Sequence, residues 1–435
     1  MPQILTTTDA DFTTRYQALV ALRREGESDV GDAVRGIIAD VRARGDEALF
    51  ALTQKFDRFD VRSTGMAVPV DDIKAAYDAC EQTLRDALEL AAARIRAYHE
   101  KQLPDDGLFT DDAGITLGHR WTPVDAVGLY VPGGLAAYPS SLLMNAVPAK
   151  VAGVPRIAMV VPTPDGVINP VILAAAHVAG IDEIYRVGGA QAIAALAYGT
   201  ETIARVDQIT GPGNAFVAEA KRQVFGQVGI DMIAGPSEIL VVSDDKSDPS
   251  WIAADLLSQA EHDEIAQSIL ITTDAAFANQ VVQAVAAHLA VLPRADIARK
   301  SWDQFGAVII AQDLDEACTL IDPLAPEHIE LAVDEPEALL PKFKHAGSIF
   351  MGRHTPEAVG DYLAGPNHVL PTSRTARFAS GLNVLDFLKR SSILNCGPQG
   401  LQQVGSAAVR LAQEEGLDAH ALSVAIRLNM PWQRD

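Results

Sequence analysis

The chain has 435 residues, 48% of them hydrophobic and 21% charged, and this length predicts two or more domains in an ordinary globular protein. Its formal net charge of −22 argues against nucleic acid or an anionic membrane as a partner, because both are bound through clustered Lys and Arg. The segment MPQILTTTDADFTTRYQ does not combine a basic region with an apolar one, so we expect no secretory signal. No apolar run approaches the ~20 residues of a membrane helix, and the three cysteines are widely spaced. We therefore expect a cytoplasmic protein whose thiols stay unpaired in a reducing compartment.

Residues 1 to about 105 are predicted to be helical. The stretch SDVGDAVRGIIADVRARGDEALFALTQKFD begins with Ser28 as a helix cap and repeats apolar residues at three- and four-residue spacing. The stretch VDDIKAAYDACEQTLRDALELAAARIRAYHEKQ shows the same spacing over a longer length. Helices with one polar face can pack on a sheet or on another subunit.

From about residue 126 the pattern changes to short apolar runs, AVGLYVPGG, RIAMVVPTP, EIYRVGG and VDQITGPGN, separated by alanine-rich helical segments. This alternation predicts a parallel sheet of about four βαβ units. A second α/β region follows, with SEILVVSD, SILITTD, GAVIIAQ and HIELAV as strands, and the chain returns to helix after about residue 383. The predicted fold is α/β, with two incomplete Rossmann-like parallel-sheet domains and helical extensions at both ends.

Three glycine turns follow strands of the first predicted sheet: YVPGG at 130–134, VGGAQ at 187–191 and TGPGNAF at 210–216. Ligands of open parallel sheets bind at the carboxyl ends of strands, where glycine lets the backbone approach a phosphate. None of the three turns has the GxGxxG spacing. They indicate either a nucleotide or phosphate site, or tight turns without a ligand.

The segment SQAEHDE places Gln259 and His262 three residues apart, so that they share one face of a predicted helix. They could bind one metal ion, or they could lie on an ordinary solvated face. Glutamine is a neutral ligand, so the rest of a metal shell would have to supply negative charge. Asp361 and His368, in the Gly/Pro-rich segment VGDYLAGPNHVLPT, are candidates for that shell.

The segment LAPEHIEL places Glu327 and His328 side by side after a proline turn. Adjacent residues point in different directions, which suits two separate acid/base roles better than joint ligation of one ion. A surface Glu–His pair would have the same sequence, and Glu415 and His420 in EEGLDAHA are equally ambiguous. The residues alone therefore point to a metal-dependent dehydrogenase or a metal-dependent hydrolase.

Taken together, eight strings in the same order resemble the histidinol dehydrogenase family over roughly residues 120 to 425. They are GLYVPGG, VGGAQAIAALAYGT, GPGNAFVAEAKRQV, IDMIAGPSEILV, DLLSQAEHD, APEHIEL, GDYLAGPNHVLPTSRTARFASGL and EEGLDAHA. Eight co-ordered strings are far more specific than any single motif among them.

The resemblance implies one zinc ion per subunit, with NAD as the second cofactor. Zinc would be held by Gln259, His262, Asp361 and His420, the last of these from the partner chain of a domain-swapped homodimer with shared active sites. Glu327 and His328 would be the acid/base pair. The substrate L-histidinol would contact Ser237, Gln259, His262, His328, Asp361, His368, Glu415 and His420, and NAD would lie near Tyr130, Gln191 and Asn214.

The resemblance also implies a division of the chain. Residues 1–25 would form an N-terminal helical arm, and residues 130–236 an NAD-binding Rossmann-like domain. Residues 26–129 and 237–382 would form the α/β domain that carries the zinc and acid/base residues. Residues 383–435 would form a C-terminal helical dimerisation tail.

The implied reaction is the oxidation of L-histidinol through L-histidinal to L-histidine, the last step of histidine biosynthesis, with two NAD in succession. His328 would take the alcohol proton and Glu327 would activate water, while zinc mainly orients the substrate. No cysteine lies in a matched active-site string, so water rather than a thiol is expected as the nucleophile. The alternatives are oxidation of another chelating alcohol, a zinc hydrolase, and a binding protein of this fold.

Overall fold

The computed structural model describes residues 1–22, 30–133, 138–233 and 235–431. The chain forms two compact units. The first consists of Met1–Gln102 and Asp125–Phe387, and the second of Leu103–Val124 and Leu388–Asp435. Within the described residues, no helix combines the length and the apolar character needed to cross a membrane.

The larger sheet of the first unit has six parallel strands. In spatial order they are Gln3–Thr6, Ala307–Ile310, Gln267–Thr272, Glu238–Ser243, His328–Ala332 and Ser348–Met351. The central strands EILVVS and QSILIT are buried at every position, as expected for a parallel sheet covered on both faces. Helices Pro249–Ala260, Ala275–His288 and Ala295–Phe305 cover one face, with Ile252, Leu256, Phe277 and Trp302 in the core beneath them.

The smaller sheet of the first unit has five parallel strands, in the order Glu183–Tyr185, Arg156–Val160, Ala126–Tyr130, Gln208–Thr210 and Gly229–Ile230. Helices Pro139–Val151, Pro170–Ala179, Gly189–Tyr198 and Ala215–Val224 connect them. The chain adds strands to one side of Ala126–Tyr130 and then crosses to its other side. This reversal lies between Ala126–Tyr130 and Gln208–Thr210, and such a point opens a ligand crevice at the carboxyl ends of the strands. The α/β class with two parallel sheets is confirmed.

The described N-terminal residues are mainly helical, as predicted: Phe12–Ala21, Gly31–Arg44, Asp46–Asp57, Val61–Thr64, Val70–Ala79 and Gln82–His99. The predicted cap Ser28 lies outside the described residues. A fully helical N-terminus is wrong, because Gln3–Thr6 is an edge strand of the larger sheet, in parallel register with Ala307–Ile310. Four residues are too few to show an alternating pattern, and the partner strand is about 300 residues away.

Short helices Leu314–Thr319, Ile321–Leu324 and Glu357–Tyr362 complete the first unit. The five-stranded sheet begins at Ala126, ahead of the boundary at residue 130 expected from the family. The domain boundaries as a whole stay a prediction.

The second unit contains a three-stranded antiparallel sheet in the order Leu388–Cys396, Ile115–Pro123 and Gly107–Thr110. It also contains helices Pro398–Glu414 and Asp418–Ala425, which share a small core around Val409 and Ala421. A purely helical tail is therefore wrong for Leu388–Cys396. That strand is polar and exposed through most of its length, so its sequence has no apolar face by which to recognise it.

Candidate active site

Seven of the predicted site residues line one cavity of about 390 Å³ in the first unit: Ser237, Gln259, His262, Glu327, His328, Asp361 and His368. The six-stranded sheet presents the amino ends of its strands there. Ser237 directly precedes strand Glu238–Ser243, and His328 begins its own strand. Gln259 lies in the last turn of helix Pro249–Ala260, whereas His262 lies in the turn that follows. The prediction that both share one helix face is therefore wrong, because the helix ends at Ala260. The opposite wall, with Gly211 and Asn214, follows the carboxyl end of a strand of the five-stranded sheet, so the cavity lies between the two sheets.

His328 is a buried, neutral imidazole with partners for both of its tautomers. Its Nδ1 lies 3.0 Å from the carbonyl oxygen of Glu238, which can accept a hydrogen bond from a protonated Nδ1. The same atom lies 2.9 Å from the amide nitrogen of Gln259, which can donate a hydrogen bond to an unprotonated Nδ1. Its Nε2 is buried without a hydrogen-bond partner among the described residues. Burial lowers the pKa of His328 to about 4. With the proton on Nδ1, Nε2 is a free base facing the cavity.

Glu327 is held beside His328 by the same backbone residue. Its Oε2 accepts a hydrogen bond of 2.9 Å from the backbone N–H of Glu238 and lies 3.7 Å from Nδ1 of His328. Burial raises the pKa of Glu327 well above its usual range, and the neighbouring carboxylates raise it further. A carboxyl group with a raised pKa can both take and return a proton near neutral pH. Glu238 therefore positions the acid/base pair through its N–H and its carbonyl.

Gln259 presents a carbonyl oxygen that has no partner. Its amide nitrogen donates to Oε1 of Glu357 over 3.1 Å, which fixes the orientation of the amide. Its Oε1 is buried and makes no hydrogen bond to any described residue. Buried polar atoms are nearly always paired, so this oxygen fits a ligand that supplies positive charge. The second oxygen of Glu357 accepts a hydrogen bond of 3.0 Å from the hydroxyl of Ser258.

Three side chains near Gln259 form a cation-binding arrangement. His328, Glu357 and Asp361 each offer a ligand atom, and these atoms lie within 4.8 Å of one another. Nε2 of His328 is 3.6 Å from Oε1 of Glu357 and 4.0 Å from Oδ1 of Asp361. Burial, and secondly Asp361, raises the pKa of Glu357 well above its usual range. A mixed nitrogen and oxygen donor set suits zinc, and Asp361 is the residue that this cluster shares with the predicted ligands.

His368 lies against the same acid. Its Nδ1 is 3.0 Å from the backbone carbonyl of Asp361, and its Nε2 is 3.3 Å from the hydroxyl of Ser141. Burial lowers the pKa of His368. Two predicted residues belong to the second unit and are exposed: Glu415 caps helix Pro398–Glu414, and His420 lies on Asp418–Ala425. The first unit thus brings together three of the four predicted zinc ligands.

The three predicted NAD residues, Tyr130, Gln191 and Asn214, line a second cavity of about 400 Å³. It lies at the strand-order reversal of the five-stranded sheet. The hydroxyl of Tyr130 accepts a hydrogen bond of 3.2 Å from the backbone N–H of Gly189, and Oδ1 of Asn214 caps helix Ala215–Val224. Asn214 also lines the first cavity, together with Gly213 and Pro132, so the two cavities adjoin.

The turn between the two cavities is held by a buried ion pair. Lys221 forms a salt bridge with Asp231, and its ammonium donates to the carbonyl of Gly211 over 3.0 Å. Oδ2 of Asp231 accepts the N–H of the same glycine at 2.9 Å. Gly211 has φ +113°, and a Cβ there would lie 2.1 Å from the carbonyl oxygen of Tyr130, so only glycine fits.

A family model described as histidinol dehydrogenase matches residues 21–428. The chain is 62% identical to histidinol dehydrogenase of Rhodospirillum rubrum over 434 residues, covering 100% of both chains, and 61% identical to that of Ruegeria pomeroyi over 429 residues, covering 99% of both. The crystal structure of histidinol dehydrogenase from Elizabethkingia anophelis superimposes with a TM-score of 0.94 at 35% identity, covering 98% of each chain.

The chain belongs to the histidinol dehydrogenase family. This confirms the family inferred from the eight strings.

Several residues that shape the site in this family member were missed by the sequence analysis. Glu238 and Glu357 orient the acid/base pair and Gln259, Ser141 contacts His368, and Lys221 with Asp231 fixes the turn. The strings IDMIAGPSEILV and GPGNAFVAEAKRQV contained three of these residues, Asp231, Glu238 and Lys221, but neither spacing nor residue type distinguished them. A buried acid such as Glu357 is recognised only once its burial is known.

Proposed function

We propose that this chain is a cytoplasmic, NAD-dependent enzyme that oxidises L-histidinol through L-histidinal to L-histidine, as the last step of histidine biosynthesis. One observation carries the proposal. Seven of the nine residues expected to hold the substrate, the metal and the protons line a single cavity, and that cavity adjoins the one lined by the three expected NAD residues.

The donor set fits zinc. The unpartnered oxygen of Gln259, the imidazole of His262 and the carboxylate of Asp361 would hold the ion, with His420 from a second copy of the chain. When bound, zinc orients the amine and imidazole nitrogens of the substrate beside the base and keeps the aldehyde from escaping. The negative charge that a neutral Gln cannot supply comes from Asp361 and, behind Gln259, from Glu357.

His328 would act as the base for the alcohol proton. Burial lowers the pKa of His328 to about 4, so its imidazole is neutral at neutral pH. In the tautomer whose proton is on Nδ1, beside the carbonyl of Glu238, the unpaired Nε2 can accept the alcohol proton. When bound, NAD accepts the hydride that leaves the carbinol carbon.

Glu327 would activate the water that hydrates the aldehyde. Its carboxyl group is held by the N–H of Glu238, and its raised pKa lets it remove a proton from water and return it later. His368 would contact the substrate from the far side of Asp361, and Ser237 from the start of its strand.

The dimer forms part of the proposal, because Glu415 and His420 are expected to complete the cavity of the partner chain. The test uses a pair of inactive variants, Glu327→Gln and His420→Asn. Unfolding and refolding the two together should restore about a quarter of the wild-type activity, since one of the two sites in each heterodimer then contains both intact residues, and heterodimers make up about half of a random mixture. If the mixture stays inactive while the refolded wild type recovers, the shared site is wrong.

The first experiment is NADH formation from L-histidinol and NAD, with and without a zinc chelator. We expect two NADH for each histidinol consumed, and loss of activity with the chelator that added zinc restores. No NADH with histidinol, but activity with another chelating amino alcohol, would replace the substrate and keep the enzyme class. No NADH with any alcohol would overturn the proposal in favour of zinc-dependent hydrolysis.

A further inference from the structure

A buried acid, Asp57, forms part of the wall of the cofactor cavity. It ends helix Asp46–Asp57 and is only 8% exposed. That helix is outside the five-stranded sheet and packs against helix Gly189–Tyr198 through Leu49, in one core cluster with Ile193. The carboxylate is therefore brought into the cavity from an element that precedes the sheet in the chain.

One oxygen of this carboxylate is used and the other is free. Oδ2 accepts a hydrogen bond of 3.0 Å from the backbone N–H of Thr163, in the loop after strand Arg156–Val160. Oδ1 makes no hydrogen bond to any described residue, yet Asp57 lines the cavity. Burial raises the pKa of Asp57, which donors supplied by a ligand would counteract. An ionised carboxylate only accepts hydrogen bonds, so the partner that fits is a hydroxyl or another donor.

The cavity offers no positive charge to balance a phosphate beside Asp57. Among the described residues that line it, none is Lys, Arg or His. Arg58 directly follows Asp57 in the sequence, but its guanidinium makes two hydrogen bonds, of 2.8 and 2.6 Å, to the exposed carboxylate of Asp165. A ligand group with negative charge near Asp57 would therefore be repelled without compensation.

In dinucleotide-binding folds an acid about 20 residues after the first glycine-rich turn binds the ribose hydroxyls of NAD, whereas an Arg there accommodates the 2′-phosphate of NADP. In this chain the first acid after the turn at 131–134 is Asp165, and it is occupied by Arg58. Asp57 is docked onto the loop that carries Asp165, through the N–H of Thr163. Asp57 thus places a carboxylate beside this loop, where the carboxylate of Asp165 is already paired with Arg58.

We propose that Asp57 accepts hydrogen bonds from the adenosine ribose hydroxyls of NAD and excludes NADP by repelling its 2′-phosphate. This rests on the proposed function, in which the cavity binds a dinucleotide. Asp57 determines cofactor specificity and takes no part in proton or hydride transfer.

The test is Asp57→Asn, which keeps an acceptor for the N–H of Thr163 and removes the charge. A charged hydrogen bond contributes about 1.5–3 kcal/mol, so kcat/KM for NAD should fall about 10- to 100-fold, through KM with kcat nearly unchanged. The kcat/KM for NADP should rise, because the amide no longer repels the 2′-phosphate as the carboxylate of Asp57 does. Asp71→Asn, which removes an exposed acid on helix Val70–Ala79, is the matched control and should change neither value.

The two possible failures can be told apart. If Asp57 had only a structural role, KM would rise for both cofactors and the NAD-to-NADP ratio would stay constant, which overturns the inference. Thermal stabilisation by NAD and by NADP is measured in parallel, with Asp57→Ser as a second variant, and needs no turnover. If NAD stabilises the wild type more than NADP does, and both variants lose this difference, the role of Asp57 is supported even if histidinol is not the substrate. Equal stabilisation of the wild type by both cofactors overturns it.

Discussion

The buried pair Lys221–Asp231 allows a stability experiment with a matched surface control. Both side chains are nearly inaccessible, at 3% and 1% exposure, and both also hold Gly211. Lys221→Met keeps most of the side-chain length and removes the charge, leaving Asp231 buried beside two N–H donors without its cation. Removing one partner of a buried pair costs about 3–5 kcal/mol, because the remaining charge stays desolvated.

The control is Lys300→Met. Lys300 pairs with Glu264 at 2.6 Å, but the two side chains are 55% and 52% exposed, so solvent screens the pair and its loss should cost far less stability than the loss of Lys221. At an unfolding entropy of about 2 cal/mol/K per residue, each kcal/mol lowers the melting temperature of a unit this large by about 1.3 °C. We therefore expect a decrease of about 4–6 °C for Lys221→Met and a clearly smaller decrease for Lys300→Met.

Differential scanning calorimetry of the two variants and the wild type provides the measurement. Lys221→Met should also raise the KM for NAD, because the turn it holds carries Asn214. Equal and small decreases in melting temperature for both variants would contradict this expectation, since the buried pair would then contribute no more than a solvated one. A large decrease with an unchanged KM would show that the turn keeps its shape without the lysine.

Three further outcomes are expected. Glu357→Gln should weaken zinc binding about 10- to 100-fold in competition with a fluorescent chelator, because the amide of Gln259 loses its charged acceptor. Asp386→Asn should raise the melting temperature at pH 7.5 more than at pH 4. Burial raises the pKa of Asp386 from 3.8 to about 6. Ionising this carboxyl group therefore costs more free energy in the folded chain than in the unfolded chain, by up to about 3 kcal/mol before discounting for partial exposure. The difference grows as the pH rises from 3.8 to about 6. A variant in which Cys80, Cys318 and Cys396 are all replaced by Ser should keep both oxidations. It should melt at a lower temperature than the wild type, because Cys318 is buried.

Each outcome has a contrary result. Glu337→Gln removes an exposed acid of the same unit, and an equal loss of zinc affinity in that variant would show a general charge effect. A stability difference for Asp386→Asn that is the same at every pH would contradict the raised pKa. Loss of the second oxidation alone in the cysteine variant would mean that a thiol, rather than water, attacks the aldehyde.

The sequence predicted the parallel sheets and most of the site for different reasons. Buried strands such as EILVVS are continuous apolar runs, and their pattern alone identifies them. Gln259 and His262 are interpretable only with Asp361, which lies far along the chain and meets them through the fold. The family strings supplied that link. No pattern in the residues would have done so.

What the sequence could not provide depends on burial and on pairing. Glu357 looks like any helix-start acid until its carboxylate is found within reach of Gln259 and His328. Asp57 looks like the polar end of an amphipathic helix until its side chain is found in the cofactor cavity. Strands Gln3–Thr6 and Leu388–Cys396 are defined by distant partners rather than by their own composition.

The pairing of Gln3–Thr6 with Ala307–Ile310 also bears on how the protein is made. At about 5–20 residues per second, a ribosome needs about 15–60 s to synthesise the 300 or so residues that separate these strands. Throughout that time the N-terminal strand has no sheet to join. The N-terminal strand can therefore join the six-stranded sheet only after Ala307–Ile310 has left the ribosome. A chain released before that point would carry an unpaired strand that could pair with other chains.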